Sequence, residues 1–339
     1  MKIVFFDVLK IEQSVFAGYL GGADVTYFEE KLNENSAEKA KDADVVCIFV
    51  TSTINKKVID ALPNLKFIAT RSTGFDHIDC AYAASKGIKV SNVPAYGSHT
   101  VAEFAFTLML SLSRNIIKAN NYITESEDFN YFGEMEGFDL NGKTLGIIGT
   151  GKIGKNVVKI AEGFNMKVIA YDLHPDLAFA KENNFKNNFM YKSLAEVVSE
   201  ADIITLHAPC NKEDIHLINK EKISLMKKGV YLINTARGEL IDTEALVWGL
   251  KEGIIAGFGA DVLEDEKPLK DGVNFLASGL ATDEDKRIIG LNHELMKMPN
   301  VIITPHIAFY TREAVALIQK TTVDNIQGFL NDSPINLVK

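Results

Sequence analysis

The sequence predicts an α/β protein in which one parallel-sheet domain is inserted into another. Short apolar, β-branched runs alternate with segments suited to helices along nearly all of the 339 residues, which is the pattern of parallel strands joined by helical crossovers. A glycine-rich turn separates two series of such runs, and an amphipathic stretch at 311–330 follows the last run. We expect that stretch to return to the first domain. The predicted domains are therefore 1–98 plus 306–339, and 99–305 between them.

The apolar runs that we interpret as strands are short and rich in Val and Ile. In the first domain they lie at 3–6, 45–50, 65–70 and 89–93. In the second domain they lie at 144–148, 167–171, 202–206, 230–234, 254–258 and 301–304. Parallel strands end at one edge of their sheet, and ligands of such sheets bind at that edge. The residues just after these runs are therefore the candidate site residues.

The second domain begins with the spacing of a dinucleotide-binding turn. The run at 144–148 is followed by GTGKIG at 149–154, a helix-period stretch at 153–164, and the run at 167–171, which leads to Asp172. The three glycines of such a turn let backbone N–H groups approach a pyrophosphate at the positive end of the helix. The predicted fold class is therefore two Rossmann-like or flavodoxin-like parallel-sheet domains, with the nucleotide-binding domain inserted into the other.

Asp172 also indicates which cofactor binds. It lies 18 positions after Gly154, where a carboxylate can accept hydrogen bonds from both ribose hydroxyls of NAD and repels the 2′-phosphate of NADP. The next residues, Leu173 to Pro175, provide no arginine for such a phosphate, although a protonated His174 would offset part of the repulsion. The sequence therefore predicts NAD as the cofactor.

Two other segments carry structural expectations. Thr100-x-x-Glu103 resembles a capping box, so we expect a helix from Thr100 to about Arg114. Because that helix is apolar on nearly all sides, we expect it to be buried between domains or subunits. The polar stretch at 264–299 is too long for an ordinary connection, which favours a functional or interface loop.

The composition argues against several classes of protein. The formal net charge of −9 and the lack of a basic stripe argue against nucleic acid and anionic membranes as partners. Acidic residues interrupt the N-terminal apolar run, and no run approaches the ~18 residues of a membrane span, so we expect a cytoplasmic enzyme. The three cysteines are scattered and the acidic clusters lack ligand spacing, so we expect neither a disulfide framework nor a metal site.

Three charged residues follow predicted strands of the second domain: Arg237, Glu266 and His306. Taken singly, each also has a structural interpretation, as a carbonyl cap, a solvated loop residue and a packed histidine. Together they fit the reduction of a 2-oxo acid by NADH, which needs a cation for the carboxylate and an acid for the carbonyl oxygen. Arginine suits the first role and histidine the second. A glutamate paired with the histidine favours the charged imidazolium.

The motifs GTGKIG, LHAP, NTARGELIDTEAL, ADVLEDE and TPHIAFYT follow one another along the chain. In this order and spacing they resemble the D-isomer-specific 2-hydroxyacid dehydrogenase family over essentially the whole chain. The resemblance implies catalytic roles for Arg237, Glu266 and His306, a subunit whose two lobes close over a small 2-oxo or 2-hydroxy acid, and a homodimer formed largely through the nucleotide domain. It implies nucleotide contacts at Gly149, Gly151, Lys152, Ile153, Gly154, Asp172, Ala208, Pro209, Thr235, Ala236 and Asp261, the last at the nicotinamide carboxamide. We expect His207, at the end of its run, to line the cofactor cleft rather than transfer a proton.

Phe309 and Tyr310 follow His306, Tyr96 lies in VPAYGS, and the stretch RSTG at 71–74 precedes a DHID segment. In these features the chain resembles the D-lactate dehydrogenase branch of the family best. The resemblance implies that backbone N–H groups of Thr73 and Gly74 bind the substrate carboxylate and that Tyr96 donates a further hydrogen bond. Phe309 and Tyr310 would wall the pocket against a small methyl group, although packing at a domain interface explains either ring equally well. The branch usually has an aliphatic residue in place of Thr73.

The leading interpretation is the reduction of pyruvate to D-lactate. The same mechanism fits another 2-oxo acid, such as glyoxylate, hydroxypyruvate, phenylpyruvate or a branched acid, because pocket size cannot be read from the sequence. A different class is an NAD-sensing binding protein on the same fold, which would keep these residues. The compact, acidic chain lacks the basic partner-binding features of such proteins.

Overall fold

A computed structural model describes residues 1–130, 133–182, 189–211, 213–266 and 281–338. The chain divides into two compact units, of which unit 1 comprises 1–96 and 310–339 and unit 2 comprises 97–309. In the part of the chain that is described, no helix has both the length and the apolar character needed to cross a membrane.

Unit 1 is built on a parallel sheet of five strands in the order β2-β1-β3-β4-β5. These strands are β1 (Lys2–Phe5), β2 (Asp24–Tyr27), β3 (Val45–Ile48), β4 (Phe67–Thr70) and β5 (Lys89–Ser91). The helices of the unit are α1 (Lys10–Tyr19), α2 (Lys56–Asp60), α3 (Cys80–Ser85) and, at the end of the chain, α12 (Arg312–Leu330). This strand order is flavodoxin-like.

The two faces of this sheet carry separate hydrophobic cores. Val4 and Ile68 lie in one core, whereas their strand neighbours Phe5 and Phe67 lie in the other, because successive side chains of a strand point to opposite faces. Helix α12 packs on the second core, where Phe329 stacks on Phe67 with ring centroids 4.5 Å apart. The expectation that the final helix packs on the first domain is therefore confirmed.

Unit 2 is built on a parallel sheet of seven strands in the order β12-β11-β10-β9-β6-β7-β8. These strands are β6 (Thr144–Ile148), β7 (Lys167–Tyr171), β8 (Phe189–Tyr191), β9 (Ile203–Leu206), β10 (Val230–Asn234), β11 (Ile255–Ala260) and β12 (Val301–Ile303). The helices are α4 (Ser98–Ser113), α5 (Ile116–Ser126), α6 (Lys152–Gly163), α7 (Leu177–Glu182), α8 (Leu194–Glu200), α9 (Lys220–Leu225), α10 (Thr243–Lys251) and α11 (Asp283–Leu295). Strand β6 pairs with both β7 and β9, so the strand order reverses at β6, as in a Rossmann fold. The predicted fold class is confirmed.

Helix α4 differs from its prediction at its first turn. It begins at Ser98, before Thr100, and its N-cap Gly97 makes no side-chain hydrogen bond. The predicted capping box is wrong because Thr100 lies inside the helix rather than at its cap. The buried face of α4 packs on α6 and on the sheet of unit 2, and Phe106 stacks on Phe164 with centroids 5.4 Å apart. One face of the helix is therefore buried within unit 2, whereas His99, Glu103 and Thr107 are exposed. The expected burial between domains or subunits stays a prediction.

The polar segment at 264–299 is not one long loop. Helix α11 occupies its second half and opens with a capping box formed by Thr282 and Asp285. The expectation of a loop is therefore wrong for this half, because the acidic run provides a cap and favourable charge at a helix N-terminus. The expected functional or interface role stays a prediction. Residues 267–280 of the segment lie outside the described residues.

Candidate active site

The glycine turn after β6 is shaped by two contacts that exclude side chains. Gly149 has φ +93°, and a Cβ built on it would lie 2.6 Å from the backbone nitrogen of Ala208. A Cβ on Gly154 would fall well inside 3.0 Å of the Gly149 carbonyl. At Gly151, the N-cap of α6, a Cβ would meet nothing within 4 Å. The turn is therefore packed on its inner side and open at the helix N-terminus, where Lys152 and Ile153 follow and where a pyrophosphate fits.

Asp172 lies directly after β7 and is held as a hydrogen-bond acceptor. Its Oδ2 accepts from the backbone nitrogen of Thr150 at 2.6 Å and from the Thr150 hydroxyl at 2.8 Å, and its Oδ1 accepts from the backbone nitrogen of His174 at 2.8 Å. Partial burial raises the pKa of this carboxyl, but the hydrogen bonds from His174 and Thr150 outweigh burial and leave the pKa below its ordinary value. The side chain is therefore an anion at neutral pH, as ribose binding requires.

Two buried polar atoms at the ends of β9 and β10 have no partner among the described residues: His207 Nδ1 and Thr235 Oγ1. The other ring nitrogen of His207, Nε2, lies 2.9 Å from the Thr205 hydroxyl. Burial lowers the pKa of His207 to about 3, so the ring is neutral at physiological pH and unsuited to donate a proton as an acid. Unsatisfied buried atoms at this sheet edge fit a ligand with polar groups. Ala208, Pro209 and Ala236 lie in the same two loops.

Arg237 follows β10 in a loop that is fixed by its own backbone. Asn234, the last residue of β10, donates to the carbonyl of Arg237 at 2.8 Å and accepts from the backbone nitrogen of Ala236 at 3.0 Å. A Cβ on Gly238 would fall well inside 3.0 Å of the backbone of Leu263. The loop of Arg237 is therefore in direct backbone contact with the loop that leads to Glu266.

Glu266 and His306 are brought together by the structure. Glu266 Oε2 lies 3.0 Å from His306 Nδ1, and Glu266 Oε1 accepts from the backbone nitrogen of Leu263 at 3.3 Å. His306 has φ +56°, a left-handed conformation that a non-glycine residue adopts only when its surroundings require it. The pairing leaves Nε2 as the ring nitrogen that does not face the carboxylate.

Asp261 imposes the conformation of the loop that carries His306. Its buried carboxylate accepts hydrogen bonds from the Thr304 hydroxyl at 2.5 Å, from the backbone nitrogen of Ile307 at 2.9 Å and from that of Ala308 at 2.7 Å. Burial raises the pKa of Asp261, although these hydrogen bonds oppose the rise. This role was not foreseen from the sequence, because its partners lie more than 40 residues away. The expected contact with a carboxamide stays a prediction.

A cavity of about 450 Å³ in unit 2 adjoins the Glu266–His306 pair. Asp261 contributes to its polar end, and the remaining lining is largely apolar. The apolar lining includes Ile117, Val262, Leu263, Met296, Val301, Ile302 and Ile303. The cavity is large enough for an aromatic side chain next to the paired histidine.

In unit 1, the loop after β4 is held by its own side chains and by residues that directly follow β5. The Thr73 hydroxyl donates to the carbonyl of Val93 at 2.7 Å, Asn92 donates to the carbonyl of Thr73 at 2.7 Å, and the Ser72 hydroxyl donates to the carbonyl of Gly74 at 2.6 Å. Within the described residues, no hydrogen bond from the backbone N–H of Thr73 or Gly74 is present. A fixed loop with two unused N–H donors fits an anion.

The aromatic candidates are divided between the units. Tyr96 and Tyr310 belong to unit 1, where Tyr310 is 63% exposed, and Phe309 belongs to unit 2. Phe49 directly follows β3, and its ring centroid lies 5.3 Å from the guanidinium carbon of the buried Arg71. This contact was not foreseen because Phe49 lies inside the predicted run at 45–50.

Known proteins match this chain over most of its length. The family described as D-isomer specific 2-hydroxyacid dehydrogenase, NAD binding domain, matches residues 106–308. An aromatic 2-oxoacid reductase of Clostridium sporogenes (strain ATCC 15579) is 39% identical over 340 residues, 97% of this chain and 96% of the relative. The D-lactate dehydrogenase of Escherichia coli (strain K12) is 37% identical over 311 residues, 91% and 89% of the two chains.

Solved structures agree with these sequence matches. The crystal structure of D-lactate dehydrogenase from Aquifex aeolicus, complexed with NAD and lactic acid, superposes with a TM-score of 0.87 at 36% identity and covers 99% of both chains. The nucleotide turn, the anionic Asp172 and the NAD-binding family match all fit NAD as the cofactor. The chain therefore belongs to the D-isomer specific 2-hydroxyacid dehydrogenase family and is an NAD-dependent oxidoreductase.

Proposed function

We propose that this dehydrogenase reduces pyruvate to D-lactate and that His306, paired with Glu266, supplies the proton. The observation that carries the proposal is the 3.0 Å contact between Glu266 Oε2 and His306 Nδ1 in the NAD-binding unit. The D-lactate dehydrogenases of E. coli and A. aeolicus, which match nearly the whole chain, support pyruvate as the first substrate to test.

The residues proposed to hold NAD lie at the carboxyl edge of the unit 2 sheet. The turn from Gly149 to Gly154 and the start of α6 would bind the pyrophosphate, and Asp172 would bind the ribose. The loops after β9 and β10 would line the rest, with the unpaired atoms of His207 and Thr235 as polar contacts. The bound cofactor supplies the hydride, and the protein supplies position and electrostatic field.

His306 is proposed as the acid because its geometry leaves one ring nitrogen for the substrate. Glu266 accepts from Nδ1 and thereby favours the charged imidazolium, whose Nε2–H can then donate to the carbonyl oxygen of a 2-oxo acid. Asp261 fixes the loop in which His306 adopts its left-handed conformation. The buried, neutral His207 is a poor alternative as the acid.

Arg237 and the loop of Thr73 and Gly74 are proposed to bind the substrate carboxylate. A guanidinium can bind a carboxylate with two parallel hydrogen bonds, and the unused N–H groups of Thr73 and Gly74 are donors of the same kind. Tyr96 is proposed to add a further hydrogen bond. In this proposal unit 1 is the substrate domain.

A second candidate substrate is an aromatic 2-oxo acid such as phenylpyruvate. Two observations favour it: the C. sporogenes relative is named an aromatic 2-oxoacid reductase, and the cavity of about 450 Å³ beside His306 is largely apolar. The proposed wall of Phe309 and Tyr310 favours the small methyl group of pyruvate instead. Tyr310 is 63% exposed, so the proposed wall is a weaker indication of substrate size than the apolar cavity.

The deciding experiment follows NADH oxidation with a panel of 2-oxo acids under identical conditions, with chiral analysis of each product. We expect the highest kcat/KM with pyruvate and only the D-isomer of lactate. A higher kcat/KM with phenylpyruvate would overturn pyruvate as the substrate but leave the mechanism intact. NADH binding without turnover of any acid would favour the NAD-sensing binding protein.

Replacement of Arg237 tests the proposed binding of the carboxylate. Arg237→Ala should lower kcat/KM by on the order of 10²-fold or more, because two charge-assisted hydrogen bonds are lost. Arg237→Lys should recover part of the loss, since it restores the charge but not the paired geometry. NADH affinity, measured by fluorescence, should stay the same in both variants. Arg237→Ala with turnover within tenfold of wild type would remove Arg237 from the proposed mechanism.

Replacement of Glu266 tests the proposed acid through the pH dependence of reduction. In the proposed mechanism reduction requires a protonated acid, so kcat/KM falls as the pH rises. In Glu266→Gln the imidazolium loses its anionic partner, and this fall should begin at a lower pH. His306→Ala should lose turnover and retain NADH binding. A pH profile of Glu266→Gln that coincides with that of wild type would contradict the pairing.

Replacement of Asp172 tests the choice between NAD and NADP. Asp172→Ala removes both the ribose acceptor and the charge that repels a 2′-phosphate, so the ratio of kcat/KM for NADH over NADPH should fall about tenfold or more. Asp176→Ala is the matched control, since it removes a nearby carboxylate that pairs with Lys155. An equal change of the ratio in both variants would show that general charge, rather than Asp172, sets the preference.

A further inference from the structure

The side chain of Glu264 holds in place the short segment 263–266, which ends at Glu266. Its Oε1 lies 2.7 Å from His216 Nε2, and its Oε2 accepts from the Thr243 hydroxyl at 2.6 Å and from the Thr243 backbone nitrogen at 3.3 Å. The Glu264 side chain is only 12% exposed. A poorly solvated carboxylate is stable only when donors compensate its charge, so these contacts fix where Glu264 can lie.

The backbone of the same segment is held from two further sides. The side-chain nitrogen of Asn292, a fully buried residue of α11, donates to the carbonyl of Glu264 at 2.8 Å. On the other side Gly238, next to Arg237, contacts the backbone of Leu263 so closely that a Cβ has no room. Asp265 has φ +54°. The segment is therefore held in a turn that brings Glu266 back to the Leu263 nitrogen.

Glu264 lies in a crowded acidic region, so its charge has to be compensated by the donor groups of His216 and Thr243. Burial raises the pKa of Asp265, and the nearby charge of Glu264 raises it further. Burial likewise raises the pKa of Glu239, with a smaller contribution from Glu266. Among the described residues, the titratable and charged groups around the segment are His216, Arg237, Glu239, Asp261, Glu284, Asp285 and His306. Among these, His216 is the one in direct contact with Glu264.

We propose that Glu264, held by Thr243 and His216, is a positioning residue that aims the Glu266 carboxylate at His306. This inference rests on the proposed role of Glu266 and His306 as the acid pair. Only Asp265 separates the two glutamates, so release of Glu264 frees the turn that sets the Glu266 carboxylate. A displacement of about 1 Å can lower turnover by up to about 10²-fold.

The test compares variants at both ends of the Glu264–Thr243 contact. Glu264→Gln keeps the shape of the side chain but removes the negative charge that strengthens its hydrogen bonds with His216 and Thr243. Thr243→Val removes the hydroxyl donor at nearly constant volume, whereas Thr243→Ser keeps it. We expect Glu264→Gln and Thr243→Val to lower kcat roughly tenfold, with KM and NADH affinity within about twofold of wild type.

The pH profile separates positioning from a general loss of structure. When Glu266 is misplaced, the alkaline fall of kcat/KM should move to lower pH, in the direction of Glu266→Gln but by less. Thr243→Ser should behave as wild type. Glu244→Gln is the matched control, because Glu244 follows Thr243 on α10 but is 70% exposed and pairs with Arg287; it too should behave as wild type.

The outcomes distinguish this inference from the proposed function. If Glu266→Gln moves the pH profile and neither Glu264→Gln nor Thr243→Val does, the positioning role is wrong and the proposed function stands. If Glu264→Gln loses NADH affinity with an unmoved profile, the residue is only structural and the inference is again wrong. If Glu266→Gln and His306→Ala both retain full turnover, the acid pair itself is wrong and the positioning role falls with it.

Discussion

The carboxyl edge of the unit 2 sheet carries the proposed chemistry. Its shape depends on backbone segments that lie so close together that no side chain fits between them. Gly149 lies against the loop after β9, Gly154 lies against the Gly149 carbonyl, and Gly238 lies against Leu263. The contacts of Gly149 and Gly238 each join two loops that leave different strands, whereas the contact of Gly154 lies within the turn between β6 and α6. A methyl group at any of the three would force these backbone segments apart, so their mutual placement is fixed by backbone contact rather than by adjustable side chains.

Buried and partly buried carboxylates add to these glycine contacts by fixing the conformations of loops at the same edge. Asp261 accepts two backbone N–H groups of the loop that carries His306, and Asp172 accepts a backbone N–H group of the glycine turn. Glu264 accepts the first N–H group of α10. Burying an anion is costly unless donors replace the lost water, so each carboxylate is compatible with one loop conformation. These acidic residues therefore fix the conformations of their loops, and some of them are also candidate cofactor contacts.

The sequence predicted the parts of the fold that repeat a local pattern. The bounds of β6, β7 and β10 agree with the predicted runs, because each is a continuous apolar run between polar residues. Strands β2 and β8 were missed because they lie at the sheet edges and include exposed residues, which removes the apolar signal. Local pattern also explains the error at α4, where two suitable residues at capping-box spacing lie within the helix.

The proposed site shows the same division between local and long-range information. Arg237, Glu266 and His306 could be singled out because each follows an apolar run, but the contacts by which Asp261 and Glu264 hold their loops could not. Asp261 contacts residues 43 to 47 positions away, and Glu264 contacts His216 at 48 positions, so no local spacing indicates these contacts.

The contacts that hold the proposed catalytic residues are separate from the side chains that would surround a substrate. The loop of Arg237 and the loop of Glu266 are tied by the Gly238–Leu263 contact, and His306 is tied to Glu266 directly and to the sheet through Asp261. None of these ties involves Phe309, Tyr310 or the apolar cavity residues Ile117 and Met296. Side chains that would surround a substrate can therefore change size while Arg237, the proposed cation for the carboxylate, and His306, the proposed acid, keep their places. On this physical basis, the same placement of Arg237, Glu266 and His306 is compatible with either of the two proposed substrates.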